Sequence, residues 1–185
     1  QPSKAQTLHL DHCELWINPS NPNHLLLGND GGLYVSYDKG ENWLHHNNIP
    51  AGEFYTITLD NQYPYNIYGG TQDDATVFGP SKEWDATKTD AWKYLWVDAW
   101  SGGDGCVTQV DPDAPNTVYF SMQNGAIQRR DMEADTSKGI SPRRVAEFRG
   151  QLQYNFVAPY FISPHDSRTI YHGGNHLMKS INRGD

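Results

Sequence analysis

The sequence predicts an all-β protein built from repeated antiparallel units, and three observations support this prediction. First, a turn pattern Ser-x-Asp/Asn-x-Gly occurs at residues 36–40 and again at residues 180–184, so the two copies start 144 residues apart, which is three intervals of 48. Second, four segments repeat the order of strand end, polar turn and apolar strand. Third, residues that favour strands and turns are abundant, with 12% aromatic residues, 17 glycines and 11 prolines among 185 residues.

The first turn has a physical role for each of its residue types. Gly40 can adopt the positive φ of a tight turn, Asp38 can accept hydrogen bonds from its own turn, and Trp43 can pack the turn between neighbouring sheets. The second copy has Asn182 where the first has Asp38, and its tryptophan would fall at position 187. We therefore expect both segments to be structural hairpin turns, and the second hairpin to be incomplete.

The four repeated segments give the size of the unit. They are residues 18–26, 59–68, 111–119 and 163–171. Their equivalent positions Pro22, Pro64, Pro115 and Ser167 are 42, 51 and 52 residues apart. Repeats of this length are typical of four-stranded propeller blades, which bury their faces on one another. A single short helical turn is expected, at residues 80–84.

We therefore predict a β-propeller segment of about four blades, each with four antiparallel strands, over residues 9–50, 53–100, 101–150 and 151–185. Because radial closure normally needs more blades than four, we expect a fragment of a larger propeller. A complete four-bladed propeller is the alternative.

Charge and hydropathy exclude two function classes. The formal charge is −8, and the basic residues cluster only as the pairs Arg129-Arg130 and Arg143-Arg144, so nucleic-acid binding is not expected. No stretch approaches the roughly 18 apolar residues of a membrane span. Cys13 and Cys106 fall on the first strands of blades one and three, where we expect free, buried thiols.

These motifs resemble those of the Asp-box (BNR-repeat) β-propeller superfamily. The resemblance rests on the two turns, on the Asp-Pro-x-x-Pro-Asn-x-x-Tyr pattern of residues 111–119 and on Gly-Gly-Thr-Gln-Asp-Asp at residues 69–74. Within it, the sequence resembles secreted bacterial proteins described as glycosyl hydrolase or sortilin-like repeat proteins. The resemblance implies an extracellular or cell-surface, carbohydrate-active propeller, either a glycoside hydrolase or a glycan-binding module. Its alternative implication is a sortilin-like propeller that binds peptides or proteins without catalysis.

The geometry of a blade indicates where a site would lie. With strands a to d counted from the axis, the approach to strand a and the b–c loop emerge on one face, and the a–b and c–d turns on the other. The Ser-x-Asp/Asn-x-Gly turns are c–d turns, so we expect a structural role for Ser36, Asp38, Gly40, Trp43, Ser180, Asn182 and Gly184.

The axial face carries carboxylates, amides and aromatic rings. Glycoside hydrolysis needs two carboxylates about 5 to 10 Å apart, and the candidates are Asp11, Asp30, Asp73 and Asp104. The candidate ligand-binding residues are His9, His12, Asn29, Gln72, Trp100, Gln123, Asn124, Asn175 and His176. Candidate platforms for sugar rings are Trp96, Trp100, Tyr154 and Phe156. The alternative for each polar position is an ordinary turn residue that satisfies nearby backbone amides.

Metal binding is a further prediction. In an extended segment His9 and Asp11 project to one side and His12 to the other, and a third ligand could come from Asp30 or Asp104. Calcium is a second candidate, bound by the oxygens of Asp30, Asp73, Asp74 or Asp104. No cofactor is required by this interpretation. The expected partners are a polysaccharide or an extended peptide and the remainder of the propeller.

Overall fold

The computed structural model describes residues 8–46, 51–82, 91–96, 103–142 and 150–185. These residues form 15 strands and one short 3₁₀ turn, with no α-helix among them. They divide into two compact units, residues 1–52 and residues 53–185, which are described separately below. The antiparallel four-stranded sheets confirm the predicted blades of a β-propeller segment.

The first unit is one antiparallel sheet in the order β1-β2-β3-β4. Its strands are β1 (His12–Ile17), β2 (Leu25–Asn29), β3 (Gly32–Ser36) and β4 (Leu44–His46). Leu25 and Leu27 are buried at alternate positions of β2, which is the period expected for a strand with one covered face.

The second unit contains eleven strands in three blades. The first blade is β5 (Phe54–Leu59), β6 (Asn66–Thr71), β7 (Asp74–Pro80) and β8 (Lys93–Trp96). The next is β9 (Gly103–Val110), β10 (Thr117–Met122), β11 (Ala126–Asp131) and β12 (Thr136–Gly139), with the 3₁₀ turn Gln123–Gly125 before β11. The last comprises β13 (Tyr160–Ile162), β14 (Ile170–Gly173) and β15 (Leu177–Ser180). Below they are called blades two, three and four.

Tyrosines on the second strand of blades two and three form contacts between blade faces. Tyr68 of blade two is 3% exposed and packs with Val118 and Phe120 of blade three. Tyr119 of blade three is fully buried and packs with Tyr160 and Ile170 of blade four. Both tyrosines come from the repeated segments, so the repeat predicted from the sequence is the unit that packs.

The inner strands of neighbouring blades are joined by hydrogen bonds from side chains to backbone. Thr56 Oγ1 and Thr58 Oγ1 of β5 donate to the carbonyls of Cys106 (2.8 Å) and Thr108 (2.6 Å) in β9. Gln109 of β9 joins β13 in the same way, because its amide donates to the Tyr160 carbonyl and accepts from the Ile162 amide (3.2 and 2.7 Å).

Two sequence expectations are changed by the structure. Both cysteines are free, as predicted, and Cys106 is buried, but Cys13 is exposed because the whole of β1 is exposed within its unit. The predicted helical turn at residues 80–84 begins at Pro80, which is the last residue of β7, and residues 83–84 lie outside the described part of the chain.

An ion pair between Arg183 and the buried carboxylate of Asp111 fixes blade four to blade three. Arg183, in the second Ser-x-Asn-x-Gly turn, donates from Nε to Oδ2 of Asp111 at 2.8 Å, and the Asp111 side chain is fully buried. The pKa of Arg183 is raised mainly by this hydrogen bond. Arg183 also donates to Ser167 Oγ, and its carbonyl accepts from Arg129 Nη1.

Removing the Arg183 guanidinium should destabilise the fold, because it leaves the buried Asp111 carboxylate without a counter-ion. In Arg183→Ala the Asp111 carboxylate keeps its burial but loses its counter-ion, so we expect the free energy of unfolding to fall by about 3 kcal/mol. Urea denaturation measures this change. The matched control is Arg168→Ala, which removes the exposed pair with Asp166 (3.0 Å) and should leave the unfolding midpoint nearly unchanged. Equal effects of the two variants would contradict a role for burial.

Buried tyrosines make stability sensitive to alkaline pH. Burial is the main reason that the pKa of Tyr68 and the pKa of Tyr119 are each raised to about 12, and burial also raises the pKa of Tyr160. In the unfolded chain tyrosines ionise near pH 10, so between about pH 10 and 12 the unfolded state binds fewer protons than the folded state. The free energy of unfolding should therefore fall as pH rises through this range. Urea midpoints at pH 8, 10 and 11 measure the slope, which Tyr68→Phe should reduce and Tyr63→Phe, at a 96% exposed position, should not.

Candidate functional site

The parallel contact between β7 and β9 brings two predicted carboxylates together. Ala75 pairs with Asp104 in this contact, so the β6–β7 turn, which holds Asp73, lies beside the start of β9. Asp73 has a φ of 55°, a left-handed conformation that aspartate tolerates better than most residues. Gly105 makes the approach possible, because a Cβ there would overlap the Ala75 backbone.

Tyr55 is the residue around which this site is organised. Its hydroxyl donates to Oδ1 of Asp104 at 2.9 Å, and Asp104 is only 6% exposed. The pKa of Tyr55 is raised to about 12 by partial burial, then by the hydrogen bond and charge of Asp104, and also by the charges of Cys106 and Asp73. The Tyr55 hydroxyl is therefore protonated at neutral pH and donates a hydrogen bond. The charges of Asp73 and Asp104 both raise its pKa.

Phe156 adds an exposed aromatic surface. Its ring lies edge-on to the Tyr55 ring, with centroids 6.4 Å apart and an angle of 62° between the planes, and the residue is 47% exposed. The Phe156 carbonyl accepts a hydrogen bond from the Asn124 amide at 2.9 Å, which fixes this loop against blade three. We call Tyr55, Asp73, Asp104 and Phe156 the Tyr55 cluster.

Cys106 is a buried thiol beside the Tyr55 cluster. Its sulfur is 4.0 Å from the Phe156 carbonyl oxygen. The pKa of Cys106 is raised to about 11, first by burial and then by the charge of Asp104. The thiol is therefore protonated at neutral pH.

Asn175, one of the predicted amide residues, holds the backbone of its own blade. Asn175 Oδ1 accepts from the Gln153 amide at 3.0 Å, and its side-chain nitrogen donates to the Gln151 carbonyl at 2.8 Å. Gln72 is exposed, and its backbone amide donates to the Glu53 carbonyl. His176 is also exposed. Asn175 therefore has the alternative role considered from the sequence, that of a turn residue whose side chain satisfies nearby backbone groups.

The 3₁₀ turn of blade three is different. Gln123 is half-buried, and its Oε1 is a buried atom without a hydrogen-bond partner among the described residues. Asn124 is exposed with a φ of 60°. Both belong to the loop whose Asn124 backbone amide donates to the Phe156 carbonyl, so they lie next to the Tyr55 cluster, as Gln72 does through its neighbour Asp73.

The predicted residues of the first unit form a separate local arrangement. Asn29 is buried, donates to the His9 carbonyl at 3.2 Å and accepts from the Gly31 amide at 3.0 Å, much as Asn175 does in blade four. Asp11 and Asp30 are exposed, and both lie near the Cys13 sulfur. His12, the first residue of β1, is exposed as well. That these residues share a cavity with Asp73 and Asp104 stays a prediction.

The predicted aromatic platforms have different surroundings in the structure. Tyr154 stacks on the buried His172 with ring centroids 4.6 Å apart, so it is a packing residue rather than a platform. Trp96 is the last residue of β8, and Trp100 lies outside the described residues. Of the two candidate platforms whose side chains are described, Tyr154 and Phe156, Phe156 is the exposed one. Tyr55 was missed as a central site residue, because its hydrogen bond to Asp104 joins residues 49 apart in the sequence.

Metal binding gains no geometric support. Among the described residues no group of three or more His, Cys, Asp or Glu side chains is placed to hold a metal ion. The transition-metal and calcium hypotheses therefore stay predictions from the sequence.

The two Ser-x-Asp/Asn-x-Gly turns share one hydrogen-bond pattern. Ser36 Oγ donates to Asp38 and accepts from the Gly40 amide, both at 2.8 Å. Ser180 makes the same two contacts, with Asn182 and Gly184, at the same distances. The first turn joins β3 to β4, and the second follows β15. Trp43 is half-buried rather than fully buried and lies beside Gly40 and Leu25.

Comparisons with known proteins agree with this fold. No family model matches the chain, and no curated protein matches it. Among solved structures, the extracellular domain of a protein described as a hybrid two-component system from B. thetaiotaomicron aligns with 96% of this chain at 12% identity and a TM-score of 0.52. The chain spans 24% of that structure's length. This similarity shows a shared β-propeller fold.

Two further structures align less well. The GH74 xyloglucanase of Xanthomonas campestris covers 93% of this chain at 13% identity, with a TM-score of 0.48 and 28% of its own length aligned. An auxiliary nutrient binding protein from Bacteroides thetaiotaomicron covers 91% at 13% identity, with a TM-score of 0.48 and 38% of its length aligned. Within the described part of this chain, no helix has the length and apolar character needed to cross a membrane.

The turns predict a separation between stability and ligand binding. Ser36 is 1% exposed and makes three hydrogen bonds within its turn, so Ser36→Ala should lower the free energy of unfolding by about 1 to 2 kcal/mol. Thermal denaturation measures this loss. Ligand affinity, measured in parallel, should stay the same, and a loss of affinity in a variant that remains folded would place the turn in the site.

Proposed function

We propose that this chain is part of a secreted, carbohydrate-active β-propeller and that the Tyr55 cluster binds a glycan. The observation that carries the proposal is a buried carboxylate, Asp104, held by the Tyr55 hydroxyl next to the exposed ring of Phe156. Glycan sites combine an apolar ring surface with a few fixed polar groups, and this cluster supplies both.

Each member has a role in binding. The exposed Phe156 ring offers a face for the C–H surface of a pyranose. Asp104 offers a carboxylate that accepts hydrogen bonds from sugar hydroxyls, and the Tyr55 donor keeps that carboxylate in one orientation. Asn124, exposed on the adjoining turn, can donate to a further hydroxyl.

The second part of the proposal is that the Tyr55 cluster hydrolyses the glycan that it binds. A glycoside hydrolase needs one carboxylic acid to protonate the leaving oxygen and one carboxylate as base or nucleophile. Asp73 and Asp104 are the candidate pair, since the charges of both raise the pKa of Tyr55. Asp104 is buried and held by a hydrogen bond, so we assign it the role of the ionised base or nucleophile. Asp73 is less buried, so we assign it the role of the acid that protonates the leaving oxygen.

Membership of the Asp-box superfamily is part of the same proposal. It is supported by the identical hydrogen-bond pattern of the turns at Ser36 and Ser180. An extracellular or cell-surface location is proposed from the sequence resemblance, and calcium binding is proposed from the carboxylates Asp30, Asp73, Asp74 and Asp104.

Binding of soluble polysaccharides to the 185-residue chain tests the proposal. Affinity electrophoresis and isothermal titration calorimetry against neutral β-glucans, xyloglucan and arabinoxylan should find at least one ligand. Phe156→Ala and Asp104→Asn should each weaken that binding about tenfold or more, the loss expected for a central contact. Release of reducing sugar from the same ligand, lost in both Asp73→Asn and Asp104→Asn, would support hydrolysis.

Matched controls separate binding from folding. Tyr94 donates to Asp74 Oδ1 at 2.9 Å, the same distance as between Tyr55 and Asp104, so Tyr94→Phe is the control for Tyr55→Phe. Tyr65→Ala, at a 42% exposed position in the a–b turn of blade two, is the control for Phe156→Ala. Affinity that changes equally in variants and controls, or that is found only for extended peptides, would overturn the glycan proposal.

A further inference from the structure

The described part of the chain contains three buried aspartates, and they differ in how well their carboxylates are satisfied. Asp60 and Asp104 are each 6% exposed, and Asp111 is 0% exposed. Buried carboxylates are normally held by several hydrogen bonds or by a cation, because burial removes the water that would solvate the charge. A buried carboxylate with an open oxygen is therefore a candidate contact for a ligand.

Two of these carboxylates are satisfied on both oxygens. Asp60 accepts two hydrogen bonds on Oδ1 and two on Oδ2, all from its own blade. Asp111 accepts from the Asp113 backbone amide on Oδ1 and from the Arg183 guanidinium on Oδ2. Because each oxygen already has a donor within the chain, neither carboxylate needs a ligand.

Asp104 is satisfied on one oxygen. Its Oδ1 accepts from the Tyr55 hydroxyl at 2.9 Å, and among the residues that the structure describes there is no donor to Oδ2 and no basic side chain paired with the carboxylate. Tyr55 is a neutral donor, so the charge of Asp104 has no counter-ion in this part of the chain. The open Oδ2 belongs to the carboxylate that Tyr55 holds, and it therefore lies at the Tyr55 cluster.

The surroundings of this open oxygen suit a cation. The charges of Asp104 and Asp73 both raise the pKa of Tyr55, and no described basic side chain lowers it, so the local charge is negative. Tyr55 and Phe156 are both partly exposed, and the faces of aromatic rings attract ammonium groups. A sugar hydroxyl would complete the hydrogen bonding of Oδ2, but only a cation would also offset the buried charge.

We infer that the Tyr55 cluster recognises a glycan with free amino groups, whose ammonium pairs with Asp104 beside the rings of Tyr55 and Phe156. The inference rests on the proposed glycan site and does not require hydrolysis. Acetylation of the sugar amino group removes its charge, so the site should distinguish an amino sugar from its acetylated form. The same negative charge disfavours acidic glycans.

Calorimetry with a matched pair of oligosaccharides tests the inference. A chitosan oligosaccharide carries free amino groups, and a chitin oligosaccharide of equal length carries acetylated ones. Both are titrated into the 185-residue chain in mildly acidic buffer, where the free amino groups are protonated. The chitosan oligosaccharide should bind at least about tenfold more tightly, the effect expected of a hydrogen bond between charged groups. Asp104→Asn keeps the size of the side chain but removes its charge, and it should abolish this preference.

Two controls accompany the titrations. Asp113→Asn makes the same change of net charge at an exposed position between β9 and β10, so it reports non-specific attraction of a polycation and should retain the preference. Thermal denaturation of both variants reports folding. On the wild-type chain, the backbone amide signals of Asp104 and Phe156 in NMR spectra should shift with the chitosan oligosaccharide, a measurement that does not depend on how the variants fold.

The contrary outcomes separate this inference from the proposed function. If the two oligosaccharides bind equally and Phe156→Ala weakens both, the glycan site stands and the amino-group inference is overturned. If neither oligosaccharide binds and no neutral polysaccharide binds, both are overturned. Equal loss of the preference in Asp104→Asn and Asp113→Asn would overturn the inference, as would binding of a lysine-rich peptide that depends on Asp104 without binding of chitosan.

Discussion

The packing of one blade face on the next is the interaction on which the rest of the second unit depends. A single sheet leaves one face exposed, and at the two interfaces of this unit that face is covered by contacts with the buried Tyr68 and Tyr119. Tyr68 and Tyr119 bury large aromatic surfaces, worth several kcal/mol each by area, while the threonine and glutamine side chains of the inner strands set the register between blades. Hydrophobic burial thus supplies the energy, and these hydrogen bonds supply the alignment.

The candidate site is a consequence of that alignment. Asp73 and Asp104 belong to different blades, and they meet because β7 and β9 come together at their starts, where Gly105 permits close backbone contact. A small shift of blade three would separate the Tyr55 hydroxyl from Asp104. The site and the interface therefore share residues, and substitutions in the Tyr55 cluster need controls that report folding.

Polar groups in this protein divide between two kinds of task. Asn29, Asn175, Ser36 and Ser180 satisfy backbone amides and carbonyls within their own turns, which keeps the loops in place. Asp111 and Asp104 are buried carboxylates that reach across blades, one to Arg183 and the other to Tyr55. The Asp111 contact is an ion pair at the turn side. The Asp104 carboxylate instead accepts from Tyr55, whose ring lies against the exposed ring of Phe156. We therefore treat Asp111 as a structural carboxylate and Asp104 as a functional candidate.

The sequence by itself determined the all-β blade architecture, the repeat and the two hairpin turns, because these depend on local propensity and on spacing along the chain. It also indicated that Asp73 and Asp104 lie on one side of the blades. Only the tertiary structure decided that Tyr55 joins Asp104, that Asn175 serves its own turn, that Tyr154 packs on His172 and that Cys13 is exposed. These outcomes depend on contacts between residues distant in sequence, or on which blade face is covered, and neither is encoded in a local pattern.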